Sequence, residues 1–112
     1  MSNRRNDADF LADIEKSAVK IVSYISSMSY EDFCDDSKTI DAVIRNLEVI
    51  GEAAKNISEP LKLQTPDVSW RGMAGLRDRL IHNYFGVDIE IVWKIAFDEI
   101  PVLLKRISKF LT

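Results

Sequence analysis

From Phe10 onward, Leu11, Ile14, Ala18, Ile21, Val22, Ile25 and Met28 recur at steps of three and four, the spacing that lines one face of a helix with apolar groups. A first long helix is expected over about residues 7–28. Ser29 followed by Asp32 has the pattern of a capping box for a short turn, and Asp35, Asp36 and Ser37 offer N-cap oxygens to a second helix beginning near Ser37. Within that helix Ile40, Val43, Ile44, Leu47, Ile50, Ala54 and Ile57 keep the period until Ser58, Glu59 and Pro60 break it. Residues 60–66 read as a connector with one irregular turn. Ser69 then caps a third helix over about residues 70–85, which Gly86 ends. A last helix over residues 88–110 starts on Asp88, turns Ile91, Val92, Ile95, Val102, Leu103, Ile107 and Phe110 inward, and is kinked by Pro101.

No stretch alternates with the period of a strand. The chain reads as all-α: an antiparallel up-down four-helix bundle with an additional short helix, since short connections make successive helices antiparallel neighbours. Its 112 residues suit one hydrophobic core, so residues 1–112 form a single domain. The last helix is apolar around much of its circumference once Trp93 and Phe97 are counted. Two readings fit that surplus: burial against a second subunit, or burial within the bundle.

Charge changes the picture by what it excludes. With 15 Lys and Arg against 18 Asp and Glu, the net charge is -3, so contact with a polyanion has to come from a local basic patch. One cysteine, Cys34, permits no internal disulfide, and no Cys and His spacing marks a metal site. No apolar run reaches the ~20 residues of a membrane span, and the polar start is unlike a secretory leader. A cytoplasmic protein without membrane attachment is the expectation.

The third helix concentrates the candidate chemistry. Arg71, Arg77, Arg79 and the only histidine, His82, fall within twelve residues that also hold Gly72 and Gly75. Each glycine costs a helix about 1 kcal/mol relative to alanine, which points to close approach of another helix or of a ligand backbone. Imidazole exchanges protons near neutral pH, and guanidinium is a fixed donor for a phosphate gathering charge. His82 and Arg77 thus form a minimal set for cleaving RNA, whose ribose 2′-OH supplies the nucleophile without a metal. On an ideal helix the two side chains stand about 140° apart, whereas Tyr84 returns to within about 20° of Arg77. The arginine must wrap, the last turn must distort, or a second copy of the helix must complete the site; the last option accounts best for the spacing. Asp78 stands where it can pair with His82 or remain solvated, and Arg45, Glu48 and Glu52, with Asn46 beside them, read as a solvent-facing row of charges.

The string Arg77-Asp78-Arg79-Leu80-Ile81-His82-Asn83-Tyr84 resembles the Arg, four residues, His, any residue, Tyr motif of HepT-like proteins in the HEPN superfamily. Trp70-Arg71 ahead of it, Phe85-Gly86-Val87-Asp88 after it, and the second-helix run from Ile44 to Ala53 extend the resemblance to nearly the whole chain. It implies a HEPN-like helical bundle that forms a homodimer, and a ribonuclease toxin paired with an MNT-type nucleotidyltransferase antitoxin. It implies further that Arg77 and His82 are catalytic and that Tyr84 is the hydroxyl the partner adenylylates to silence the toxin. Arg71, Arg79, Asn83, Asn46 and Glu52 would be RNA-binding or supporting residues. No cofactor or metal is implied. The same resemblance admits another role, a non-catalytic subunit that docks the nucleotidyltransferase and presents its substrate. The departures are Leu76, where a methionine is common, and Asp78, where an amide is frequent.

Overall fold

In the computed structural model, which describes residues 5–80 and 86–111, the first helix opens on a reciprocal cap. The Asn6 side chain accepts from the Asp9 N–H and the Asp9 carboxylate accepts from the Asn6 N–H, both at 3.1 Å. Helix α1 spans Asp7–Ile25 and buries Leu11, Ile14, Ala18, Ile21 and Ile25. It ends three residues before the expected Met28. Ser29 caps the next helix from an extended backbone, φ −83° and ψ 168°, so the chain has to leave helical geometry ahead of it. Ser29 and Asp32 form the expected capping box, and α2 spans Tyr30–Cys34 with Phe33 buried.

Asp36 caps α3, which spans Ser37–Ala54. The Asp36 carboxyl accepts the Thr39 N–H and hydroxyl, and those bonds hold it below the usual carboxylate range. Ile57 is buried beyond the end of α3, because Ser58 turns extended there to cap a further helix. The carboxylate of Asp7 accepts both the N–H and the hydroxyl of Ser58. That pair ties the region after α3 to the start of α1, so the two long helices run antiparallel.

The connector expected at residues 60–66 is instead a helix. In α4, Glu59–Gln64, Pro60 occupies the first turn, where an N–H would have no helical partner and its loss costs nothing. Thr65 follows, donating to the Leu61 carbonyl and accepting from the buried Trp70 indole, each at 2.8 Å.

The third expected helix is interrupted. Segment α5 covers Trp70–Ala74 and α6 covers Leu76–Leu80, with Gly75 as the break at φ −91° and ψ 8°. Glycine, the weakest residue in a helix interior after proline, takes this bridge conformation readily. Gly72 is required by its own cap: a Cβ there would stand 2.6 Å from Ser69 Oγ. The close approach between helices occurs at Gly51, where a Cβ would lie 3.0 Å from the Met73 carbonyl oxygen, so α3 and α5 nearly touch at their backbones.

Gly86 has φ +88°, a left-handed conformation that favours glycine, and the Asp88 N–H returns to the Leu80 carbonyl at 3.2 Å; the expected run of the third helix over residues 81–85 lies outside the described residues. Asp88 then caps α7, Ile89–Lys94. A π-helical turn at Ile95–Glu99 leads into α8, Ile100–Ile107, and a 3₁₀ turn, Ser108–Phe110, follows. The π turn precedes Pro101, which has no N–H to donate one turn back; the Ile100 N–H reaches instead to Ile95, five residues away. The extra residue in that turn advances the register. The buried series becomes Ala96, Ile100, Leu103 and Ile107, while Val102, expected inward, is 44% exposed.

The core lies where α1 packs along α3, with α8 and the π turn also against α1, and α5, α6 and α7 against α3. Among the described residues the fold is all-α. Trp93 is partly covered within the chain by Phe33 and Tyr30 at centroid distances of 5.2 and 6.1 Å, and it stacks on Phe97. Phe97 itself is 55% exposed, so the apolar surplus of the last helix is divided between the bundle and its surface. Among the described residues no helix is long and apolar enough to cross a membrane.

Candidate active site

Two residues along a helix turn the chain by about 200°, so Arg77 and Arg79 leave α6 in opposite directions. Arg79 reaches the last helix. Its guanidinium donates through two nitrogens to Glu99, at 3.0 and 2.7 Å. These bonds, supported by the Glu99 charge, hold Arg79 above its ordinary pKa despite partial burial. It borders an apolar cavity of ≈ 230 Å³ between α5, α6 and α8. Arg77 faces the other way.

Arg77 opens onto a groove of ≈ 390 Å³, whose opposite wall is α3 with Arg45, Glu48 and Glu52. Those three are spaced three and four apart and so share a helix face. The row expected to face solvent as ion pairs therefore lines the space that Arg77 also lines. Glu52 is exposed, with Lys55 at 3.7 Å. Asn46 is turned away: it is buried, and its Nδ2 donates at 2.8 Å to the Ala42 carbonyl of its own helix. That bond satisfies its buried amide within α3, and Asn46, offered by the sequence as a site support, does not line the groove. Arg71 is exposed on α5 and does not line the groove.

The single basic patch expected from Arg71, Arg77 and Arg79 is thus divided: Arg77 lines the groove, Arg79 is held by Glu99, and Arg71 lines neither the groove nor the cavity beside Arg79. The physical reason is helical geometry together with Glu99, a partner twenty residues away that the local pattern does not reveal. Asp78 is exposed. His82, Asn83 and Tyr84 lie outside the described residues, and so does the expected pairing of Asp78 with His82.

The start of the chain supplies residues that the sequence reading assigned to no site. Arg5, Phe10 and Asp13 complete the groove. Arg5 binds Asp13 at 2.7 Å, donates to the Asp9 carbonyl at 3.2 Å, and lies over the Phe10 ring at 4.9 Å from its centroid. The hydrogen bond to Asp13 raises the Arg5 pKa, with further help from the Asp13 and Asp9 charges. With Arg5 engaged by Asp13, Arg45 and Arg77 set the positive character of the groove against Glu48 and Glu52. Among the described residues, no three His, Cys, Asp or Glu side chains gather as metal ligands would.

A family model described as ribonuclease HepT-like matches residues 14–110. A Methanocaldococcus jannaschii protein named as a candidate RNase is 45% identical over 102 residues, 91% of this chain and 84% of that one. A Thermococcus cleftensis protein whose name gives it as a probable ribonuclease HepT is 44% identical over 106 residues, covering 95% and 96% of the two chains. A candidate RNase of Caldanaerobacter subterraneus is 40% identical over 91 residues, 81% of each chain. No solved structure matches.

Proposed function

Because the chain belongs to the ribonuclease HepT-like family, we propose that it is a metal-independent endoribonuclease and the toxin of a HEPN/MNT toxin-antitoxin pair. The observation that carries this reading is the separation of Arg77 from Arg79. Arg79 is committed to Glu99, whereas Arg77 lines a solvent-open groove of ≈ 390 Å³. In the proposed reaction His82 removes the 2′-OH proton and O2′ attacks the adjacent phosphorus. Arg77 stabilises the charge that collects on the phosphoryl oxygens. The P–O5′ bond breaks and O5′ leaves as a hydroxyl, its proton returned by an imidazolium. A 2′,3′-cyclic phosphate remains on the other fragment.

Incubation with single-stranded RNA in EDTA tests this directly. Wild type is expected to cleave and leave cyclic phosphate ends, and His82→Ala is expected to be inactive. Cleavage at a position whose 2′-OH is methylated would overturn the mechanism. Wild type that leaves all RNA intact while binding a nucleotidyltransferase would establish the docking role instead.

Tyr84 is the proposed control point, through AMP transferred by an MNT-type nucleotidyltransferase partner. The adenylyl group would bring bulk and a phosphate negative charge near Arg77, competing for the donors an RNA phosphate needs. After co-expression with that partner, intact mass measurement is expected to show added AMP on wild type and none on Tyr84→Phe. Equal labelling of both proteins would place the modification elsewhere.

A further inference from the structure

The groove contains a flat, fixed cation whose charge is already taken. Arg5 is held by the Asp13 carboxylate at 2.7 Å and by the Asp9 carbonyl at 3.2 Å, with its guanidinium laid on Phe10. Phe10 is half-buried and packs against the core, which anchors the plate from beneath. The Arg5 side chain nevertheless remains 49% exposed, so the guanidinium, held by Asp9 and Asp13 and set over Phe10, keeps surface open to the groove. An arginine gripping a phosphate needs free donors. This one has two of its five donors taken by Asp9 and Asp13 and its charge balanced by Asp13, so it offers its exposed plane together with the donors that remain.

We propose that Arg5, stacked on Phe10, is a platform on which one base of a single-stranded RNA stacks, beside the phosphate held by Arg77. Unpaired bases in RNA are commonly held on aromatic rings or on guanidinium planes. Here the two are combined, ring beneath and guanidinium above, with the order imposed by Asp13. The platform and Arg77 line the same groove, so a strand whose phosphate meets Arg77 passes the plate with a neighbouring nucleotide. Asp13 has a defined part in this: it fixes the plane and cancels its charge, so the contribution of Arg5 is stacking and not attraction of the backbone. Arg5, Phe10 and Asp13 all precede residue 14, where the match to the family begins. The inference rests on RNA being the substrate class, and the measurement is chosen to separate the two.

The test uses the full chain and a short single-stranded RNA with every ribose 2′-O-methylated, so that binding is read without cleavage. A parallel set of strands lacks the base at one position each. Wild type is expected to lose about 5- to 150-fold in affinity when one particular base is missing, the range for one base stacked on a protein platform. Arg5→Lys keeps the charge and can keep the pair with Asp13 but has no plane. It is expected to bind the intact strand as weakly as wild type binds that abasic strand, and to be indifferent to the missing base. Arg5→Lys that binds the intact strand as wild type does, or that weakens equally on every strand, overturns the platform. So does wild type that binds no RNA. If binding follows the expectation but unmethylated RNA stays intact, the ribonuclease reading fails and the platform stands.

Discussion

Replacing Arg77 by alanine is expected to reduce RNA cleavage by about 10²- to 10³-fold or more, the cost of removing one donor aimed at developing charge, while leaving the protein folded. The second half of that expectation follows from where the side chain lies. Arg77 is exposed on α6, and the buried residues of that segment are Leu76 and Leu80, so its truncation opens no cavity. Its thermal midpoint should match that of wild type within the small range of surface substitutions. Arg79→Ala, two residues away, provides the contrast. It removes a bidentate pair with Glu99 whose two side chains are 42% and 48% exposed, so a stability loss of no more than about 1 kcal/mol is expected, with cleavage largely retained. Rates and melting curves of both variants decide the matter. Arg77→Ala that unfolds, or Arg79→Ala that loses activity as severely as Arg77→Ala, would move the phosphate-binding role off Arg77.

The contrast between these two arginines also shows how far the residue pattern can be read. Caps and periodicity act over three or four residues, and those features appear in the structure as expected: the Ser29 and Asp32 box, the Asp36 cap of α3 and the cap at Asp88. Interactions between distant segments left no such trace. Glu99 takes Arg79, Asp7 takes Ser58, and Arg5 and Asp13 join the wall of a groove built mainly by α3, to which α6 adds Arg77. Phe10 illustrates the ambiguity well. Its spacing marks it as a core residue, and it does pack on the core, yet its other side carries Arg5 at the edge of the site. The glycines mislead for a similar reason. A glycine in a helix announces that something is near but not what, and at Gly72 the neighbour is its own capping serine, whereas at Gly51 it is another helix. The π turn before Pro101 was legible only as a kink, because proline dictates which hydrogen bond is lost and not which wider bond replaces it.

Mixing two inactive chains is expected to restore activity. Arg77 and His82 are about 140° apart on an ideal helix, and the proposed homodimer places the same surface opposite itself about a two-fold axis, so that each site can draw its arginine from one chain and its histidine from the other. Phe97 and Val102, 55% and 44% exposed on the last helix, supply apolar surface for a self-complementary contact. Suppose that Arg77→Ala and His82→Ala chains are mixed in equal amounts and allowed to exchange. Half of the dimers are then mixed, and each contains one working arginine and one working histidine, on different chains. Two independent composite sites per dimer would return about a quarter of wild-type activity, and one shared cleft up to about a half. A site completed within one chain would return nothing, because every site in every dimer would lack one of the two groups. Size measurement by light scattering and mass analysis of the exchanged species establish that mixed dimers are present. Mixed dimers without activity, or a fully active wild-type monomer, would require that Arg77 and His82 meet within one chain, and the distortion that permits it would then lie between residues 78 and 82.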